Sequence, residues 1–348
     1  MKFYYDLKKW AKDYVTLAKG KKPNHANKTD NFYSIGLIDQ SICSQNLGDN
    51  IISEAVTEEL KSIFSFSYIN HFPGQINSSI DYTRLLSAQD FIFVGGTNLL
   101  KSNMNKNPQW KINSYSKFFL KNRFILMGVG WFQYQSEPNS YSVSLLKDML
   151  SNKFLHSVRD SYTEKKLHSI GIKNVINTTC PTLWQIDNKI CSNINIYKSN
   201  NVVTTLTSYY KDPEVDKKIL NILCENYKKV YLWLQGFNDY QYFKNLSLDN
   251  QNIIVLDSSL TAYENILSID DIEYIGSRLH GGIKALKKGK RTLILAVDNR
   301  AYEIKIDTNL NVIKRSDYMS LLLYLEKPYH TLINLPVENI KRWKEQFL

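Results

Sequence analysis

Tyr274-Ile-Gly-Ser-Arg-Leu-His-Gly-Gly-Ile-Lys-Ala285 decides how the chain is read. The apolar run that opens it is a strand, the polar residues that follow are a turn, and the rest is the start of a helix. Such a turn sets Ser277, Arg278 and His280 at a helix N-terminus. Free N–H groups and a partial positive charge favour an anion there. Arg278 adds a planar fork suited to carboxylate or phosphate. His280 can give or take a proton near neutral pH. Gly281 and Gly282 let backbone approach a ligand. The same spacing also fits a capped helix with one buried histidine and a surface arginine.

Working outward, the strand, turn, helix pattern repeats. Phe32–Ile38 reads as a strand that runs through Gln45-Asn-Leu-Gly-Asp-Asn50 into a helix over Ile51–Ser62. Phe91–Val94, Phe124–Gly130 and Leu155–Val158 are further strands. After a polar, Asn-rich stretch at Ile186–Asn201, read as a linker, the alternation restarts. Val202-Val203, Val230–Leu234, Ile253–Leu256, Ile272–Ile275 and Thr292–Leu295 are strands, Asp212–Asn226 a helix with Pro213 in its first turn, and Val337–Phe347 a terminal helix. Near-continuous apolar strands suit parallel sheets covered on both faces. The expected fold is therefore α/β, with two doubly wound Rossmann-like domains facing a cleft. Residues 1–190 form the N-terminal domain and 200–348 the C-terminal one, the terminal helix packing back on the first. In open parallel sheets ligands sit beyond the carboxyl ends of the strands, where these motifs lie.

A chain of 348 residues carrying a formal charge of +11 fits two domains and an anionic partner. It carries no zinc knuckle, RNA-recognition signature or basic-aromatic repeat, so nucleic acid is not an expected partner. The four cysteines form no CxxC pair, so reduced thiols are expected, with no metal site. Met1–Gly20 has no long apolar run, so neither a secretory signal nor a spanning helix is expected, and the expected location is cytoplasmic. Phe3, Leu7, Trp10, Tyr14 and Leu17 recur at helical spacing among lysines. That pattern fits a helix packed on the first domain, or peripheral contact with the inner face of a membrane.

Other strand ends carry lesser candidates. Asn46 and Asp49 could bond sugar hydroxyls, or the segment is a loop with Asp49 or Asn50 capping the helix. Gly95-Gly96-Thr97-Asn98 and Gly128-Val-Gly130 are glycine turns that do not fit GxGxxG, so a dinucleotide is weakly supported. Arg159 could clamp an anion or pair with Asp160. Asp298 or Arg300 borders the last of these strand ends.

Taken in order, Asn46-Leu-Gly-Asp-Asn50, Gly95-Gly-Thr97, Gly128-Val-Gly130, Val158-Arg-Asp160, Cys180-Pro-Thr182 and Ser277-Arg-Leu-His280 resemble the polysaccharide pyruvyl transferase family. The resemblance spans Asn46 to about Glu303. One departure is Cys180, where many members carry an aspartate. The resemblance implies a fold similar to the GT-B glycosyltransferases. It implies phosphoenolpyruvate as donor substrate, with no other cofactor, and a sugar or lipid-linked oligosaccharide of a bacterial surface polysaccharide, exopolysaccharide or capsule as acceptor. It also implies donor binding by Arg159, Ser277, Arg278, Leu279, His280 and Gly281, with catalysis by His280 and Arg278. Asn46, Asp49, Gly96, Thr97 and Asn98 are the expected acceptor contacts. A GT-B glycosyltransferase using a nucleotide sugar is the competing reading.

Overall fold

The computed structural model describes Val15 and residues 32–112, 114–248 and 252–348. The expected amphipathic stretch at Met1–Lys19 lies outside the described residues, Val15 apart. The chain divides into two compact units. The first comprises residues 1–43, 53–181 and 337–348, and the second residues 44–52 and 182–336.

Strands and helices alternate over residues 34–177. β1 (Ser34–Asp39) leads through α1 (Leu47–Ile63) to β2 (Tyr68–Pro73). Then come α2 (Ile80–Ser87), β3 (Phe91–Gly95), α3 (Ser114–Phe119), β4 (Phe124–Met127), α4 (Ser140–Met149), β5 (His156–Val158), α5 (Ser161–Ser169) and β6 (Val175–Asn177). β2-β1-β3-β4 form one parallel sheet and β5-β6 a second parallel pair. β5 runs beside β4, joined by Gly128 N donating to Ser157 O at 3.0 Å and Arg159 N to Val129 O at 3.1 Å. His156, fully buried, fills this seam. Its Nδ1 accepts from Leu126 N at 3.2 Å, and its Nε2 lies 2.8 Å from Ser151 O. Those partners fix a neutral ring protonated at Nε2. Burial pushes its pKa down to about 4.

The core of this unit gathers Ile92, Val94, Leu126, Val129, Trp110, Trp131 and Leu146. Ile92, Val94, Leu126 and Val129 come from the apolar runs recognised in the sequence, whereas Trp110, Trp131 and Leu146 lie outside them. Helix starts are capped as the composition allows: Ser79, Asn139 and Asp160 each accept from a first-turn N–H.

In the second unit the chain runs through α6 (Asn188–Asn193), β7 (Asn201–Thr204), α7 (Pro213–Asn226), β8 (Lys229–Trp233), α8 (Asp239–Asn245), β9 (Ile253–Leu256) and α9 (Leu260–Leu267). It continues with β10 (Ile272–Gly276), α10 (Leu279–Lys287), β11 (Thr292–Ala296), α11 (Asn299–Thr308), β12 (Val312–Lys314) and α12 (Tyr318–Glu326). The sheet order is β12-β11-β10-β7-β8-β9, all parallel. Counted from β7, this is the 3-2-1-4-5-6 order of the doubly wound dinucleotide-binding fold, with its reversal between β7 and β10. Arg278 stands directly after β10, at that reversal.

Two sequence expectations are corrected here. The stretch read as a linker holds the helix α6, started by Asp187 accepting from Ile190 N at 2.8 Å. Residues 44–52, assigned to the N-terminal domain, group with the second unit. The reason is backbone pairing: Leu47 N donates to Gln235 O and Phe237 N to Gln45 O, both at 2.9 Å. The terminal helix α13 (Val337–Glu345) belongs to the first unit, where Trp343 is fully buried against Phe93 and Phe347. Among the described residues no helix is long and apolar enough to cross a membrane.

Candidate functional site

Two arginines at strand ends, one in each unit, share an arrangement. Arg278, 2% exposed, donates through Nη2 to both oxygens of Asp239 at 2.6 and 2.7 Å and through Nε to Leu206 O at 2.8 Å. Its Nη1 is buried with no partner. Asp239 is fully buried and held by the amides of Gly236 and Ser208. In the first unit Arg159, 1% exposed, donates through Nε and Nη2 to Asp160 Oδ2 at 3.2 and 3.1 Å, and again Nη1 has no partner.

Each guanidinium also lies against a glycine. A Cβ at Gly236 would stand 2.3 Å from Arg278 Nη2, and one at Gly130 2.3 Å from Arg159 Nη2. Any side chain at either position would displace the arginine. An unpaired N–H on a buried cation is expensive, so an arginine satisfied everywhere but Nη1 is poised to hold an acceptor.

Around Arg278 the second unit builds a dense polar frame. Tyr274 OH donates to Arg278 O at 2.7 Å, and Arg278 N donates to Thr205 Oγ1 at 3.1 Å. Gly276 is required where β10 meets β7, since a Cβ would stand 2.4 Å from Thr205 Oγ1. Ser277 donates to Thr205 O at 3.1 Å and lies 2.8 Å from Thr207 Oγ1, so its hydroxyl ties the two strand ends together. Leu279, His280 and Gly281 form the buried first turn of α10. A Cβ at Gly281 would stand 3.0 Å from Gln235 Oε1, itself buried and unpartnered.

Asn46 reaches this frame: its Oδ1 accepts from Gln235 Nε2 at 2.8 Å and Gly48 N at 3.2 Å. Asp49 accepts from Ser44 Oγ at 2.6 Å in the first turn of α1. Both were expected on the acceptor side, in the N-terminal domain, and both stand instead in the second unit with Arg278. Gly96, Thr97 and Asn98 follow β3 in the first unit. Gly130 N donates to Thr97 O at 2.8 Å, which brings the expected acceptor contacts beside the glycine that supports Arg159.

Three residues of the second-unit frame escaped the sequence reading. Asp239 is the carboxylate of Arg278, and Gln235 donates to Asn46. Tyr209 lies with its ring centroid 4.8 Å from Arg278 Cζ, and its OH accepts from Arg300 Nη2 at 2.7 Å. Arg300 is in turn held by Asp298, which places both beside Tyr209. No local motif marks Asp239 or Tyr209. Only the neighbouring of β10, β7 and β8 gathers them.

The family model for polysaccharide pyruvyl transferase matches residues 46–299, most of the chain and all of the elements just described from Asn46 to Asn299. The chain belongs to the polysaccharide pyruvyl transferase family. It is therefore a transferase, with a pyruvyl donor and a polysaccharide acceptor. No curated protein matches the chain. Among solved structures, the UDP-GlcNAc 2-epimerase of Methanocaldococcus jannaschii, in complex with UDP-GlcNAc and UDP, gives a TM-score of 0.53 at 10% identity, covering 90% of this chain and 98% of its own. That of Neisseria meningitidis, bound to UDP-GlcNAc, gives 0.52 at 11% identity with the same coverage, 90% and 98%. At such low identity the likeness shows the fold alone: this pyruvyl transferase is GT-B-like.

Proposed function

We propose that this pyruvyl transferase takes its pyruvyl group from phosphoenolpyruvate and sets it as a cyclic ketal on a sugar of a bacterial surface polysaccharide or its lipid-linked precursor. The observation that carries the reading is made in each unit by itself: Arg278 in the second and Arg159 in the first are buried arginines whose Nη1 has no partner. Phosphoenolpyruvate carries a carboxylate and a phosphate, and both are acceptor-only groups that suit guanidinium donors. The first turn of α10 adds its N–H groups beside Arg278.

In the proposed reaction, protonation of the methylene carbon makes C2 electrophilic. One sugar hydroxyl adds to C2 and gives up its proton. The C2–O bond to phosphate then breaks, and a neighbouring hydroxyl closes the ketal, its proton leaving with the phosphate. His280 transfers a proton in this sequence; it is 6% exposed and one residue into the helix that Arg278 begins. Contact of Met1–Lys22 with anionic membranes belongs to the same proposal, because lipid-linked sugars lie at that surface. Deleting the segment would abolish vesicle sedimentation and spare turnover.

The test is phosphate release from phosphoenolpyruvate in the presence of lipid-linked glycans, with donor affinity measured separately. Arg278→Ala should weaken donor binding by about 2–3 kcal/mol. His280→Ala should lower turnover by roughly 10²–10⁴ with a smaller effect on donor binding. Unchanged donor affinity in both Arg278→Ala and Arg159→Ala would defeat the reading.

A further inference from the structure

Two β-branched residues of the first unit hold left-handed backbones at strand ends. Thr97, after β3, has φ +57°, and Thr179, after β6, has φ +59°. A branched Cβ crowds the neighbouring carbonyl in that conformation, so such residues persist only where the surroundings impose them. Asn177 imposes it on Thr179, its Oδ1 accepting from Thr179 N at 2.9 Å. The hydroxyls gain nothing in return: Oγ1 of Thr97 and Oγ1 of Thr179 are both buried and unpartnered. Thr179 is fully buried.

Both threonines flank Arg159. Thr178 N donates to Val158 O at 3.0 Å, which sets the end of β6 beside the residue preceding Arg159. Thr97 is bonded through its carbonyl to Gly130, the glycine under the Arg159 guanidinium. Adjacent strand ends thus carry three buried polar atoms with no partner: Arg159 Nη1, Thr97 Oγ1 and Thr179 Oγ1. Glycine at either threonine position would remove both the backbone strain and the orphaned hydroxyl.

We propose that Thr179 and Thr97 are ligand residues, donating their hydroxyl hydrogens to a carboxylate or phosphoryl oxygen whose charge Arg159 balances. This rests on the reading of Arg159 as a donor-anion residue and adds two uncharged donors to it. A hydroxyl rotor can turn its proton toward such an oxygen, and a guanidinium N–H beside two hydroxyls makes a site that prefers an acceptor-only group.

The experiment compares Thr179→Gly, Thr179→Ser and Arg159→Ala in the full chain. It measures thermal unfolding and the binding of phosphoenolpyruvate, inorganic phosphate and pyruvate. Thr179→Gly should unfold at the same or a higher temperature, yet bind phosphoenolpyruvate about tenfold more weakly. Thr179→Ser should bind close to the wild-type level. Weakening confined to the phosphate probe assigns the phosphoryl group, and weakening confined to the pyruvate probe assigns the carboxylate. Normal phosphoenolpyruvate affinity in Thr179→Gly, with Arg159→Ala weakened, overturns this inference and leaves the role of Arg159 standing. Equal losses in the glycine and serine variants, or an effect only on the acceptor KM, also overturn it. Normal affinity in Arg159→Ala removes the donor reading on which it rests. Should Thr179→Gly not fold, Thr97→Gly makes the same comparison.

Discussion

A buried arginine is costly unless its donors are met, and each of two arginines here is left with one nitrogen, Nη1, without a partner. Asp239 and Asp160 neutralise the charges, and Gly236 and Gly130 make room for the planes. That division of labour sets a prediction at the residue scale. Gly236→Ala adds one methyl group where a Cβ would stand 2.3 Å from Arg278 Nη2 and 3.1 Å from both Asp239 oxygens. The guanidinium must move off its carboxylate, so calorimetry should find donor affinity reduced by about 1–3 kcal/mol, with no charged group removed. An alanine variant that binds phosphoenolpyruvate normally would mean that the orientation of Arg278 does not matter.

Elements hold these residues in place, and two seams in the first unit can be probed. His156 closes the join of β4 and β5 as a neutral ring, with its pKa held near 4 rather than 6.5. The unfolded chain therefore takes up a proton below pH 6.5 that the folded chain refuses. Its contribution is complete above pH 6.5 and is lost progressively as pH falls toward 4. Urea unfolding at pH 7 and pH 4.5 should show this decline in the wild type, and a smaller one in His156→Gln. Parallel declines would assign the acid sensitivity elsewhere. The second seam is α13. Trp343 is fully buried, with its ring centroid 6.0 Å from Phe93 and 5.2 Å from Phe347. Trp343→Ala should cost roughly 3–5 kcal/mol of unfolding free energy, the range for truncating a large core aromatic. A loss below about 1 kcal/mol in chemical denaturation would make the helix an appendage.

For the whole molecule the governing quantity is charge. A formal +11 sets a positive field around a chain whose proposed donor is a small polyanion. Raising ionic strength from about 0.1 to 1 M shortens the screening length from about 10 to 3 Å. Phosphoenolpyruvate affinity should fall steadily over that range, while the unfolding temperature changes little. Salt-independent affinity would restrict the charge to a role in solubility.

Much of this organisation is written locally. Phe91–Gly95, Ile272–Gly276 and Thr292–Ala296 are strands because their apolar runs need cover on both faces, and that need is visible in one dimension. Ser277-Arg-Leu-His280 announces itself because a strand, a turn and a helix start follow one another without interruption. β2 and β12 escaped notice because no apolar run marks them: Tyr68-Ile-Asn-His-Phe-Pro73 is interrupted by polar residues and Val312-Ile-Lys314 is too short. By itself, then, the sequence determined the α/β alternation, the family and the two arginines, all of which depend on neighbours in the chain. Tertiary structure alone decided that Asp239 and Gly236 serve Arg278, and that Asn46 lies with Gln235 in the second unit. It also decided that Thr97 and Thr179 flank Arg159 with strained backbones. Those relations arise from the order in which parallel strands lie side by side, and hydrogen bonding between strands sets that order across tens to nearly two hundred residues of intervening chain.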